Sequence, residues 1–300
     1  MYYIVYGFLY LLSLLPFRLL YVVSDAVYAL LYYVIGYRKE VVMNNLMIAF
    51  PEKTEVERTR IAKDFYHQFL DTFIETIKML SVSESTIRKR FSSNIEVLND
   101  LYDTGKNVQI LTGHFFNWEF GSLYMSLVSR FPFIVVYMPV KNKVFDKLIL
   151  KLRQRFNGIM VPATNFRRSF RPYMKGRYAL TLVADQNPGN PKQAYWMPFF
   201  SKMVPFLSGP EKGTRSSNDA VVFARFYRLK RGYYKIDFTL LTTEPRSYKE
   251  GALTKELIKL IEESIRKKPS NYLWSHRRWK HGWDAAFAKK WIDTAVMPQG

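Results

Sequence analysis

The run Thr112-Gly113-His114-Phe115-Phe116-Asn117-Trp118-Glu119 sets an imidazole five residues ahead of a carboxylate. The histidine follows an apolar stretch, Val108–Leu111, that reads as a strand, and the glutamate falls where helical periodicity begins. An imidazole titrates near pH ~6.5, so at neutral pH it can accept a proton. A carboxylate beside it fixes the tautomer and steadies the imidazolium that forms, as the acid does in a Ser-His-Asp triad. The pair His114 and Glu119 could therefore act as general base and orienting acid, activating a substrate hydroxyl without a metal or an enzyme nucleophile. Asn117 suits the N-cap of the following helix, which places Glu119 in its first turn. Gly113 would admit a substrate to the backbone beside the histidine. The same letters also suit a hydrogen-bonded structural histidine, and the surroundings must decide.

Further polar groups follow. Arg167, Arg168 and Arg171 share one short helical segment, where forked guanidinium groups can grip phosphate or carboxylate, or form an ordinary solvated face. Asp185-Gln186-Asn187-Pro188-Gly189 is a polar turn after an apolar strand, a place where loops carry function. Arg215 closes a small, basic, hydroxyl-bearing helix start, Lys212-Gly213-Thr214-Arg215. Pro198-Phe199-Phe200 can line an acyl-chain tunnel or fill the core. Trp274-Ser275-His276-Arg277-Arg278-Trp279-Lys280 interleaves indoles and bases, which suits lipid head groups or nucleic acid. A structural or surface role is expected for His276.

The elements that must position these groups alternate. Strands are expected at Val108–Thr112, Phe133–Met138, Ile159–Pro162, Tyr178–Ala184, Ala220–Leu229 and Tyr233–Thr242. Helices are expected at Trp118–Ser129, Lys143–Phe156, Phe166–Met174 and Thr254–Lys267. Before them, a helix starts at Thr54 with Glu57 in a capping-box position and runs to Leu80, and another covers Ser83–Phe91. Arg231-Gly232 between the last two strands suggests a hairpin. The fold class is α/β: a mixed, partly parallel central sheet flanked by helices, with an N-terminal hydrophobic membrane-anchoring helical segment. Ligands of such sheets sit beyond the carboxyl ends of strands, where both His114 and Asp185 fall.

Composition narrows the chemistry. The 300 residues contain no cysteine, which excludes disulfides and thiolate sites, and four scattered histidines suggest no metal cluster. No cofactor is expected. The 45 Lys and Arg against 25 Asp and Glu, a formal charge of +20, call for an anionic partner. Residues 1–37 are apolar and rich in tyrosine, interrupted chiefly by Pro16, Arg18 and Asp25. They read as a membrane anchor, one tilted span or a broken interfacial pair of helices, with a buried core helix as the alternative. Arg38 and Lys39 follow, so the positive-inside rule puts residues 38–300, a single large domain, in the cytoplasm.

Together these pieces resemble one family. Gly113-His114-(four residues)-Glu119 resembles the signature of glycerolipid and lysophospholipid acyltransferases, and its glutamate form resembles the lipid A late (lauroyl/myristoyl) acyltransferases. The Asp185-Gln186 turn, Pro198-Phe199-Phe200, the Trp274–Lys280 box, Asn44-Asn45-Leu46 and Phe50-Pro51 fit the same branch in order. The resemblance implies a bacterial inner-membrane O-acyltransferase taking a fatty acyl thioester, usually from acyl carrier protein, to a hydroxyl of a lipid A precursor. It implies His114 as base, Glu119 as its partner, and Arg168 or a neighbour on the acceptor or the developing charge. The divergent segments around Arg168 and Gly189–Gln193 leave other acceptors open: an amino-acid lipid, a phosphoinositol mannoside or a lysophospholipid. A non-catalytic, membrane-tethered binder of anionic polymers is the alternative of another class. Nucleic acid is not expected as a partner, because the apolar start favours lipid.

Overall fold

In the computed structural model, which describes residues 1–293 apart from Ser201, seven strands join in one mixed sheet. In chain order the strands are β1 (Phe91–Ser93), β2 (Val108–Thr112), β3 (Phe133–Tyr137), β4 (Ile159–Pro162), β5 (Ala179–Val183), β6 (Tyr195–Phe199), β7 (Lys202–Phe206), β8 (Ala220–Lys230) and β9 (Tyr233–Thr242). The sheet order is β1-β9-β8-β2-β5-β3-β4, and β6 and β7 form a separate hairpin. Five strands from β8 to β4 run parallel, and β9 reverses direction through the Arg231-Gly232 turn. Gly232 takes a φ of 75°, which a side chain would resist. β2 sits near the middle and is buried along its whole length, as a strand covered on both faces must be.

The helices are α1 (Tyr2–Leu14), α2 (Phe17–Ala29), α3 (Lys39–Ala49), α4 (Glu55–Lys78), α5 (Glu84–Arg90), α6 (Glu96–Asp103), α7 (Trp118–Val128), α8 (Lys143–Arg153), α9 (Phe166–Phe170), α10 (Gly209–Ser217) and α11 (Ala252–Lys267). This is the expected α/β fold with its helices around a mixed sheet. Thr54 and Glu57 form the expected reciprocal cap on α4. Two elements differ from expectation. Phe91 begins β1 rather than ending a helix, and Tyr195–Phe206 folds as a hairpin whose aromatic runs favour extended backbone.

Pro16 separates α1 from α2, and one wide turn carries α2 on to Ile35. Phe17–Ile35 is one helix long and apolar enough to cross a membrane, by length and composition. Its polar side chains bind the body: Ser24 Oγ donates to Asp71 at 2.8 Å and Tyr21 to Glu75 at 2.7 Å. Arg231 bridges Asp25 (2.6 Å) and Asp71 (2.7 Å). Lys78 Nζ donates to the carbonyls of Ser13 (2.6 Å) and Leu15 (3.0 Å), where α1 ends. The other face stays bare, with Tyr3 80%, Ile4 77% and Phe8 67% exposed on α1 and Val34 76% exposed beyond α2.

Candidate active site

Two strand ends build the site. β2 and β5 pair in parallel with Thr112 opposite Val183, so the residues two beyond each, His114 and Asp185, leave the sheet side by side. The Ala184 N–H donates to the Thr112 carbonyl at 3.1 Å and carries the ladder one step further. The fully buried Asp185 carboxylate grips the histidine twice. Its Oδ1 lies 2.5 Å from the imidazole Nδ1, and its Oδ2 accepts the His114 backbone N–H at 3.0 Å. Nδ1–H thus points at the acid, which leaves Nε2 as the basic nitrogen. The His114 side chain is 20% exposed, enough to meet a substrate.

Burial alone would push the Asp185 carboxyl up. The facing imidazole, its two hydrogen bonds and a further one from Tyr272 outweigh burial and hold the group down at about 2. A Cβ at Gly113 would come within 3.1 Å of the Phe115 ring and 3.4 Å of Asp185, so a side chain there would press on both.

A strap from the C-terminal part of the chain locks the loop. The Phe116 N–H donates to the Asn271 carbonyl, and the Leu273 N–H to that of His114, both at 3.1 Å. Asn45 Nδ2 holds the carbonyls of Trp274 and His276, each at 2.7 Å. Arg278 is buried under this strap, donating to Asn187 (2.8 Å) and to the Pro205 carbonyl (2.9 Å) with its guanidinium over Phe206. The Trp274–Lys280 box therefore braces the site with its buried members, Trp274 and Arg278, instead of offering them to lipid or nucleic acid. Burial pushes His276 down to about 4, so its imidazole is neutral. Phe199 is likewise buried, stacked on Trp279 and packed on Phe206, and fills core.

Glu119 is engaged elsewhere than expected. Its carboxylate takes both Arg153 Nε (2.7 Å) and the second guanidinium arm, together with the Trp118 indole N–H at 3.1 Å. Trp118 in turn stands edge-on to the imidazole, with centroids 5.5 Å apart. The carboxylate on Nδ1 is that of Asp185, where Glu119 was expected. The reason is geometric: strand register aims Asp185 at the ring, whereas Glu119 begins a helix and meets α8. Asn117 caps α7 by accepting the Phe120 N–H at 3.1 Å, as expected, and donates to the buried Glu75 at 2.7 Å.

The other sequence candidates separate. Gln186 is half-buried beside Asp185. Arg167, Arg168 and Arg171 are exposed on and just after α9, the connection from β4 to β5, whose Phe166 and Phe170 pack with Ile134, Tyr178 and Leu180. Arg215 lies one turn before β8 begins, and that end of β8 pairs with the start of β2, so Arg215 is at the far end of the sheet from His114. Arg153 and Tyr272 were not anticipated. Each meets the site only through tertiary folding, and only the strand-end position of Asp185 left a trace in the sequence.

A family model for bacterial lipid A biosynthesis acyltransferases matches residues 1–281. The chain belongs to that family. It is 27% identical to the lipid A biosynthesis palmitoleoyltransferase of Escherichia coli over 282 residues, covering 91% of this chain and 89% of that one. It is 27% identical over 249 residues to a lipid A biosynthesis acyltransferase of Haemophilus influenzae, covering 81% and 78%. With the lipid A biosynthesis lauroyltransferase of Escherichia coli it shares 23% over 278 residues. The expected resemblance is thus confirmed at family level, and the chain is an acyltransferase. In such an enzyme a hydroxyl must lose its proton as it captures an acyl carbon.

Proposed function

We propose that the chain moves a fatty acyl group from acyl carrier protein to a hydroxyl of a lipid A precursor, with His114 as general base. The acceptor proton passes to Nε2 while its oxygen attacks the thioester carbonyl. The tetrahedral intermediate then collapses, the C–S bond breaks, and the imidazolium returns the proton to the departing thiolate. Asp185 holds the tautomer and steadies the imidazolium. Glu119 positions Arg153, whose guanidinium supplies positive charge beside Trp118 for the oxyanion or for an acidic group of the acceptor. Gln186 is the contact candidate nearest the imidazole. The exposed Arg167, Arg168 and Arg171 suit the acidic carrier protein, in keeping with the net charge of +20.

Residues 1–37 serve as the membrane-facing part and residues 38–300 as the acyltransferase domain; residues 294–300 lie outside the described residues. The bare apolar face of α1 and α2 supports membrane association. The Asp25–Arg231–Asp71 ion pairs favour helices lying in the interface over a span, because such charges are costly in hydrocarbon. The basic body supports a domain on the cytoplasmic side of the inner membrane, by the positive-inside rule.

The observation that carries this reading is the Asp185–Nδ1 contact, which frees Nε2. The test incubates the detergent-solubilised full chain with acyl carrier protein bearing a labelled fatty acid and a lipid A precursor, and weighs the product by mass spectrometry. His114→Ala should lower turnover by about 10²–10⁴-fold with unfolding temperature unchanged. Wild-type turnover in that variant would remove His114 from the chemistry.

A further inference from the structure

A groove of about 620 Å³ lies away from His114, between α1 and α8, lined by Tyr2, Lys143, Lys147, Lys151, Gln154 and Arg155 among others. Lys143, Lys147 and Lys151 recur every four residues and are exposed, so they form one cationic row along α8. Facing them, Tyr2, Tyr6 and Tyr10 stack in a matching row on α1, with centroids 6.0 and 6.1 Å apart. Lys147 Nζ sits 4.5 Å from the Tyr2 ring centre and Lys151 Nζ 4.1 Å from that of Tyr6. The acid in the groove, Asp146, accepts the Val140 N–H at 2.7 Å. Arg155 donates to the carbonyls of Met79 and Val82. The lysines are thus the groups left to receive an anion.

We propose that this groove binds the anionic phosphate head group of a membrane lipid. The neighbourhood chooses lipid over an acidic protein, since the lysines border the bare apolar face of α1. Lysine stems can run over tyrosine rings there while the ammonium groups meet head-group phosphate. Arg153 follows Lys151 by two residues, about 200° around the helix, so α8 turns its other side toward Glu119. One rigid helix then fixes the height of the active site above the head-group layer. The inference rests on the membrane-facing reading of α1 and α2.

The experiment titrates the detergent-solubilised full chain with dihexanoyl phosphatidylglycerol and, in parallel, with the zwitterionic dihexanoyl phosphatidylcholine. Wild type should bind the anionic lipid at least tenfold more tightly. The triple variant Lys143→Gln, Lys147→Gln, Lys151→Gln should lose that preference, and Lys→Arg at the three positions should keep it, which also reports on folding. Equal binding of the anionic lipid by wild type and the glutamine variant would overturn the proposal. So would a glutamine variant that loses only its affinity for acyl carrier protein, which would assign the row to a protein partner. Acyl transfer is measured on the same preparations: absent turnover in wild type defeats the proposed function, whereas an absent lipid preference defeats only the groove.

Discussion

Asp185 and Glu75 are both wholly buried carboxylates, and their surroundings drive them in opposite directions. Asp185, at the end of β5, faces an imidazole and is held down at about 2 against the effect of burial. Glu75, in the last turn of α4, is pushed up by burial; hydrogen bonds from Tyr21, Tyr234 and Asn117 lower it without compensating. All three of those donors are neutral groups, at 2.7 Å each. Burial by itself therefore says little about charge. A group that can become a cation decides, and only the Asp185 region has one against the acid. The first region sets a charged acid against the imidazole, the arrangement that the proposed proton transfer uses. The second ties α2, β9 and the cap of α7 to one point, and so braces the loop that carries His114.

The sharpest way to break the comparison is Asp185→Asn. An amide would present a donor or acceptor to Nδ1 indifferently, so Nε2 would no longer be held as the base. Turnover should fall by about 10²–10⁴-fold, read in the acyl-transfer assay. The pH dependence carries a second signature. The folded value of about 2 lies below the ordinary 3.8, so this group stabilises the fold fully above about pH 4 and loses that contribution between pH 4 and 2. Thermal melts across that window should show wild type losing on the order of 2 kcal/mol that the asparagine variant does not lose. Wild-type turnover in Asp185→Asn would return the orienting role to Glu119.

How the sequence revealed one region and hid the other follows from distance along the chain. His114, the Asn117 cap, the Thr54–Glu57 box and the Arg231-Gly232 turn are local signals, each readable within a few residues. The alternation of strands and helices gave the mixed sheet for the same reason. The contact between Asp185 and His114 depends on β2 pairing with β5 in one register, 71 residues apart, and no local pattern encodes that. Glu119 sat nearer in sequence and therefore drew the orienting role. Arg153 looks like an ordinary basic C-terminus of an amphipathic helix, and Trp274–Lys280 looks like a surface. Only packing shows the first holding Glu119 and the second burying Trp274 and Arg278.

Glu75 tests the other half of the comparison with a somewhat smaller effect. Glu75→Ala leaves two phenol groups and the Asn117 amide without an acceptor in a buried site, and should cost about 2–4 kcal/mol in denaturant unfolding. Glu75→Gln copies the protonated acid and should cost about 1 kcal/mol or less, with turnover close to wild type. Because the folded value of Glu75 is raised, its favourable contribution is present below the unfolded value and lost as pH rises through the folded one. The stability of Glu75→Gln relative to wild type should therefore improve with rising pH. A glutamine variant that tracks wild type at every pH would mean that burial does not raise Glu75 above its unfolded value.

The smallest expected effect lies between the two regions, at Glu119 and Arg153, whose side chains are 12% and 18% exposed. This acid has a permanent cation, Arg153, as its partner. Removing one partner leaves the other charge poorly solvated: Arg153→Met and Glu119→Gln should each cost about 1–3 kcal/mol in unfolding experiments. The double variant should cost clearly less than the sum, with a coupling of about 1–2 kcal/mol. Turnover separates bracing from chemistry. If Arg153 supplies charge to the reaction, Arg153→Met lowers kcat even where the double variant restores stability. If kcat recovers along with stability, the pair only holds α7 against α8, and the positive charge near the imidazole must come from another residue.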